Sequence, residues 1–136
     1  MATDSKYLHS DISNLVLQAF YSVRSVLPLN LTLDTYRQAL VVELGLLGLT
    51  VQCDKPLDIL YRDRVVGLLR ADVVVNDCIV LKLIYTEGIS EQSEAELKNL
   101  LRYSDCEVGL ILNFYPDEQH KRLVLTADRK KYTPAD

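Results

Sequence analysis

Three residues carry side chains that could do chemistry together. Asp72 heads the β-like run "ADVVV", Lys82 stands alone inside the apolar run "IVLKLI", and Glu96 follows in a helical segment. An acid–amine–acid set supports an ion pair or an amine nucleophile that forms a Schiff base. The last needs a desolvated amine with a lowered pKa, which nearby carboxylates oppose, so it ranks last. An unpartnered buried ammonium costs several kcal/mol. Lys82 therefore needs a carboxylate partner, or a stem packed on apolar neighbours with its head reaching water.

Pleat geometry decides which partner is in reach. Alternation puts Asp72, Val74 and Asn76 on one face of their strand, and Val80, Lys82 and Ile84 on one face of the next, opposite Ile79, Leu81, Leu83 and Tyr85. A tight hairpin turn at Asn76-Asp77 brings Lys82 opposite the Ala71–Asp72 region, so an Asp72–Lys82 ion pair is expected. The following helix offers Glu94 and Glu96, the latter at the border of the buried stripe. The competing role for Glu96 is a capping box, with Ser93 as the N-cap and Glu96 reaching back to its amide.

The elements that must position these residues follow from periodicity. Residues 11 to 27 place Ile12, Leu15, Val16, Ala19, Phe20, Val23 and Leu27 on a helical stripe, with Ser10 or Asp11 as N-cap and Pro28 beyond the end. Residues 33 to 47 repeat the pattern through Leu33, Tyr36, Leu40, Leu44 and Leu47, and Gly48 is the natural stop. "LTVQC" and "LDILY" read as extended segments broken at Pro56. "YRDR" is a polar turn into "VVGLL", and "ADVVV" and "CIVLKLIY" follow. A helix over 91 to 104 turns Leu97, Leu100, Leu101 and Ser104 inward. "VGLILNF" is a buried strand, Pro116 to Gln119 a loop, and "KRLVLT" an edge strand. Two helices, about four strands, a helix and one or two more strands give an α/β (α+β) fold, a mixed central β-sheet flanked by helices. With no repeat or linker, residues 1 to 126 are expected to form a single domain, and the polar tail from Ala127 need not be ordered.

Composition narrows the function classes. The 136 residues are 49% hydrophobic and 25% charged, the balance of a globular domain. A net charge of −4 disfavours nucleic acid as a partner. Arg62 with Arg64, and Arg129 with Lys130 and Lys131, read as a solvated turn and a solvated tail. Apolar runs such as Leu44 to Val51 are too short to span a bilayer, and the start lacks a signal-peptide pattern, so no membrane partner and a cytoplasmic location are expected. Cys53, Cys78 and Cys106 form no CxxC pair and are expected to be buried thiols. With only His9 and His120 beside them, they do not suggest zinc.

The stretches "TYRQALVVELGLLGL", "RADVVVNDCIVLKL" and "SEAELKNLLRYSDCEVGLILNF" give the chain a resemblance, over about residues 10 to 126, to the GxxExxY proteins. These are small bacterial members of the PD-(D/E)XK nuclease superfamily. The resemblance implies a restriction-endonuclease-like core and a Mg²⁺-dependent nuclease site whose first acid is Asp72. On the next strand that family has glutamate, any residue, then lysine. Lys82 here takes the glutamate's place and Ile84 the lysine's. The helix motif His-Glu-Ala-Gln-Leu reads Ser93-Glu94-Ala95-Glu96-Leu97. At the name-giving motif, Asn30 replaces the glycine and Leu33 the glutamate, and Tyr36 alone is kept.

A lysine in the place of a metal-ligand carboxylate repels the cation, and Ile84 supplies neither acid nor charge. What the resemblance implies is therefore a catalytically inactive member, needing no cofactor, whose former active site has become an ion-paired or small-ligand pocket formed from Tyr36, Asp72, Lys82, Ile84, Ser93 and Glu96. The alternative is an atypical Mg²⁺-dependent nuclease in which Asp72 and Glu96 bind metal and Lys82 is the relocated lysine. A third class is a homo-oligomer built on an exposed edge strand such as "KRLVLT".

Overall fold

A computed structural model describes residues 8–115 and 119–130. Helices α1 (Ser10–Val26) and α2 (Leu33–Leu46) precede strands β1 (Val51–Tyr61), β2 (Arg64–Val75) and β3 (Ile79–Ile84). Helix α3 (Glu91–Arg102) then leads to β4 (Val108–Asn113), β5 (Gln119–Val124) and the single turn α4 (Ala127–Lys130). The strands lie in the order β1-β2-β3-β4-β5. Every neighbouring pair is antiparallel except β3 and β4, which are parallel because α3 carries the chain back between them. The mixed sheet flanked by helices is thus present.

Each face of the sheet has its own core. Val16, Phe20, Tyr36, Leu40 and Leu44 from α1 and α2 pack on Val73, Val75, Ile79, Leu81, Leu110 and Leu112. Leu97, Leu100 and Leu101 from α3 pack on Val74, Val80, Ile84 and Ile111 on the other side. Strand β4 is buried along its whole length, as a parallel strand covered on both faces must be. Its last residue, Asn113, is fully buried yet satisfied. The amide donates to Thr86 O at 2.8 Å and accepts from Thr86 N and Tyr115 N, which fixes the β3–α3 loop.

Helix boundaries follow the sequence signals closely, and the α2 stop is as expected. Gly48 has φ of +80° and lets Leu49 N–H reach back to Leu44 O at 3.1 Å. Several expectations need correction. His9, not Ser10 or Asp11, occupies the α1 N-cap position, with no side-chain cap. Pro56 does not break β1, because an edge strand tolerates a residue with no N–H. "VVGLL" and "ADVVV" are one strand, so three strands precede α3, not four. Cys53 is exposed and Cys78 half-buried, so only Cys106 is a buried thiol. The polar tail opens with a helical turn, Ala127–Lys130, and Lys130 Nζ donates to the Ser104 and Cys106 carbonyls. Residues 116 to 118 of the expected loop and Lys131 of the basic tail lie outside the described residues. No helix among the described residues is long and apolar enough to cross a membrane.

Candidate functional site

Asp72 sits where β2 changes face. Ala71 belongs to the α3-side core and Val73 to the α1/α2-side core, although two residues apart on a regular strand would share a face. The β1–β2 register runs Cys53↔Val73 and Lys55↔Ala71 and skips the position between, where Asp54 has φ of 51°. On its other side β2 leaves β3 after Val73↔Leu81. The Asp72 carboxylate takes over at that fork: Oδ2 accepts the Leu83 N–H at 3.1 Å, replacing a ladder bond that the splayed backbone no longer makes.

The turn that feeds β3 falls at Asn76-Asp77 as expected, but the connection is one residue longer than a two-residue hairpin. Asn76 and Asp77 have φ of 50° and 53°, Cys78 N–H bonds to Val75 O, and Val75 pairs with Ile79, leaving Cys78 as one extra residue. Lys82 then falls on the α3 face together with Val80 and Ile84. Its partner is not the expected one. Lys82 Nζ lies 2.8 Å from Glu96 Oε2, with the lysine side chain 17% and the glutamate side chain 47% exposed. The hydrogen bond from Lys82 and its charge hold the Glu96 carboxyl below the ordinary glutamate value.

Glu96 is available because it caps nothing. The α3 N-cap is Ser90, whose Oγ accepts the Ser93 amide at 3.1 Å, so Ser93 lies three residues inside the cap. The capping box centred on Ser93 is thus replaced by a cap one turn earlier, leaving Glu96 beyond the first turn. Glu94 pairs with Lys121 of β5 at 2.8 Å.

Asp72, Lys82 and Glu96 line one cleft of about 290 Å³ with Leu69, Arg70, Asn99 and Leu100. Asp72 also lines a second hollow of about 180 Å³ on the α2 side, with Leu33, Asp34, Arg37 and Leu83. There Arg37 bridges Asp34 at 2.6 Å and Asp54 at 3.0 Å, and these two carboxylates drive its pKa upward. The fork at Asp72 therefore separates two ion-paired hollows, one under each helical layer.

Tyr36, Ile84 and Ser93 do not join this cleft. Tyr36 is fully buried, its hydroxyl donating to Pro28 O at 2.6 Å and its ring stacked on Tyr85 and Phe114. Ile84 is core beneath α3. Sequence reading missed Arg70, Asn99, Leu69 and Leu100. Asn99 and Leu100 stand three and four positions after Glu96, so helical spacing alone places them on its face.

A family model of the PD-(D/E)XK nuclease superfamily matches residues 10–123. The chain belongs to this superfamily. Its five-stranded mixed sheet with flanking helices is a restriction-endonuclease-like PD-(D/E)XK core. No curated protein and no solved structure matches the chain.

Proposed function

We propose that this chain is a catalytically inactive PD-(D/E)XK protein of the GxxExxY type, whose former active site has become an ion-paired pocket able to take a small ligand. The observation that supports it is the Lys82–Glu96 pair at 2.8 Å inside the cleft that Asp72 lines. A Mg²⁺ site needs near-octahedral oxygen donors, with one or two carboxylates facing the ion. Here one carboxylate is neutralised by an ammonium and the other holds a backbone N–H. No group of three His, Cys, Asp or Glu converges among the described residues. This donor set does not fit the cation.

The charges lining the cleft, Arg70 and Lys82 against Asp72 and Glu96, balance, and Leu69 and Leu100 give it apolar walls. Such a lining suits a small molecule with an apolar body and a polar head more than a polyanion. The alternative, an atypical nuclease using Asp72, Glu96 and Lys82, draws on their presence in one cleft. The two readings separate when purified protein and Asp72→Ala are incubated with DNA and RNA over Mg²⁺ and Mn²⁺. No cleavage above the Asp72→Ala background is expected. Cleavage that disappears in the variant would overturn the inactive reading.

A further inference from the structure

Strands β1 and β2 outrun the rest of the sheet. The β2–β3 ladder ends at Val73, whereas β1 and β2 stay paired to their turn at Arg62-Asp63, so the outer half of this hairpin is a two-stranded ribbon. Its two faces differ. Leu57, Leu69 and Ala71 point to the α3-side core. The opposite face, on which the register places Pro56 with Arg70, Asp58 with Leu68, and Leu60 with Val65, is exposed at all six positions. Leu60, Val65 and Leu68 are each at least half exposed. A two-stranded ribbon has little stability of its own, and a contiguous apolar patch on it marks a contact surface.

The charges on this face indicate what covers it. Asp58 makes no ion pair among the described residues, and Arg70 makes only a 3.4 Å hydrogen bond to the Asp54 carbonyl. One acid and one base lie on opposite strands, one cross-strand level apart. Turning a second copy about a two-fold axis parallel to the ribbon lays β1 of one copy over β2 of the other. Leu60 then meets Val65 of the second copy, and Asp58 comes diagonally beside Arg70 of the second copy, within reach of an arginine. Symmetry repeats both contacts. A face carrying like charges at these positions would not complement itself in this way.

We infer that the exposed ribbon face of β1 and β2 is a self-association surface that takes a second copy of this chain. It shares only Arg70 with the cleft lining and uses the opposite end of the sheet from the β5 edge. Six residues a side is far below the roughly 20–30 of a standard interface, so the dimer is reversible and concentration dependent. Sedimentation equilibrium of the full chain from about 10 µM to 1 mM, a span that brackets weak association, tests it. The mass of the parent protein rises toward the dimer, and Leu60→Asp remains monomeric. Asp58→Arg and Arg70→Asp each weaken association about tenfold, and the double variant regains it. A circular dichroism spectrum for each variant checks its fold, and any one charge reversal with the double variant is sufficient. A parent protein that stays monomeric to 1 mM, or a double reversal no better than the single ones, overturns the inference.

Discussion

Lys82 Nζ and Glu96 Oε2 stand 2.8 Å apart, joining the centre of β3 to the helix that packs over it. The lysine is mostly covered and the glutamate half open, so the two partners are not equivalent. Removing the acid leaves a largely desolvated ammonium, whereas replacing the lysine with an apolar side chain of similar length removes the charge and keeps the packing. Glu96→Ala is expected to lower the unfolding free energy by about 1 kcal/mol, and Lys82→Met to leave it unchanged or higher. Urea titration of both variants measures this. A Lys82→Met variant less stable than Glu96→Ala would show that the pair holds the fold together.

The same contact sets a pH dependence. Lys82 holds the Glu96 carboxyl below its unfolded value of 4.5. A folded pKa below the unfolded one gives stability that is fully present above the unfolded value and lost as pH falls through the folded one. Glu96→Gln should therefore lose less stability than the parent below about pH 4.5 and differ by a constant amount above it. Parallel acid limbs in the two proteins would assign the transition to other carboxylates.

If the ammonium is what bars a cation from the cleft, removing its charge should admit one. Mg²⁺ at about 10 mM is expected to move the thermal midpoint of the parent by less than about 1 °C. Lys82→Glu puts an acid near Asp72 and Glu96, so its midpoint should fall without the ion and recover with it. The readout is stability and does not depend on catalysis. A parent protein strongly stabilised by Mg²⁺ would contradict the ion-paired reading of the cleft.

How much of this was legible in the sequence depends on the range of the interaction. The α1, α2 and α3 stripes, the Gly48 stop and the Asn76-Asp77 turn are local, set by period and by φ, and the residues announce them. The cleft was partly legible, since Asp72, Lys82 and Glu96 do meet. Which two of them pair was not. Pleat counting carried β2 straight past Asp72 and set it against Lys82, but β2 turns over there and forks from β3, which no periodicity encodes. The α3 cap misleads for the opposite reason: Ser93 followed by Glu96 fits the capping-box pattern and Ser90 followed by Ser93 does not, yet the helix enters one turn earlier, at Ser90.

Close packing between α3 and β4 gives a prediction that does not involve the cleft. Gly109 pairs with Val80 directly beneath Leu97, and an added Cβ would meet Leu97 side-chain carbons at 2.8 to 3.0 Å. Leu97 is fully buried and has little room to retreat. Gly109→Ala is thus expected to destabilise the protein by about 1–3 kcal/mol, the range for overpacking a filled core. Gly109→Ala combined with Leu97→Val should recover part of that loss. A neutral single variant, measured by urea unfolding, would mean that α3 lifts off the sheet without cost.

The cysteines differ enough in environment to be told apart by reactivity. Cys53 is exposed on the edge strand, whereas burial raises the thiol pKa of both Cys78 and Cys106. The thiolate is the reacting species, so a raised pKa and restricted access slow the reaction together. Cys106 is further enclosed by α4, whose Lys130 binds its carbonyl. At about pH 8, below the ordinary free-cysteine pKa, an aromatic disulfide reagent should label Cys53 promptly, Cys78 slowly and Cys106 only on unfolding. All three thiols should titrate in denaturant. Mass spectrometry of the time course locates each label. Prompt labelling of Cys106 in the folded protein would show that α4 and the end of α3 open freely at this pH.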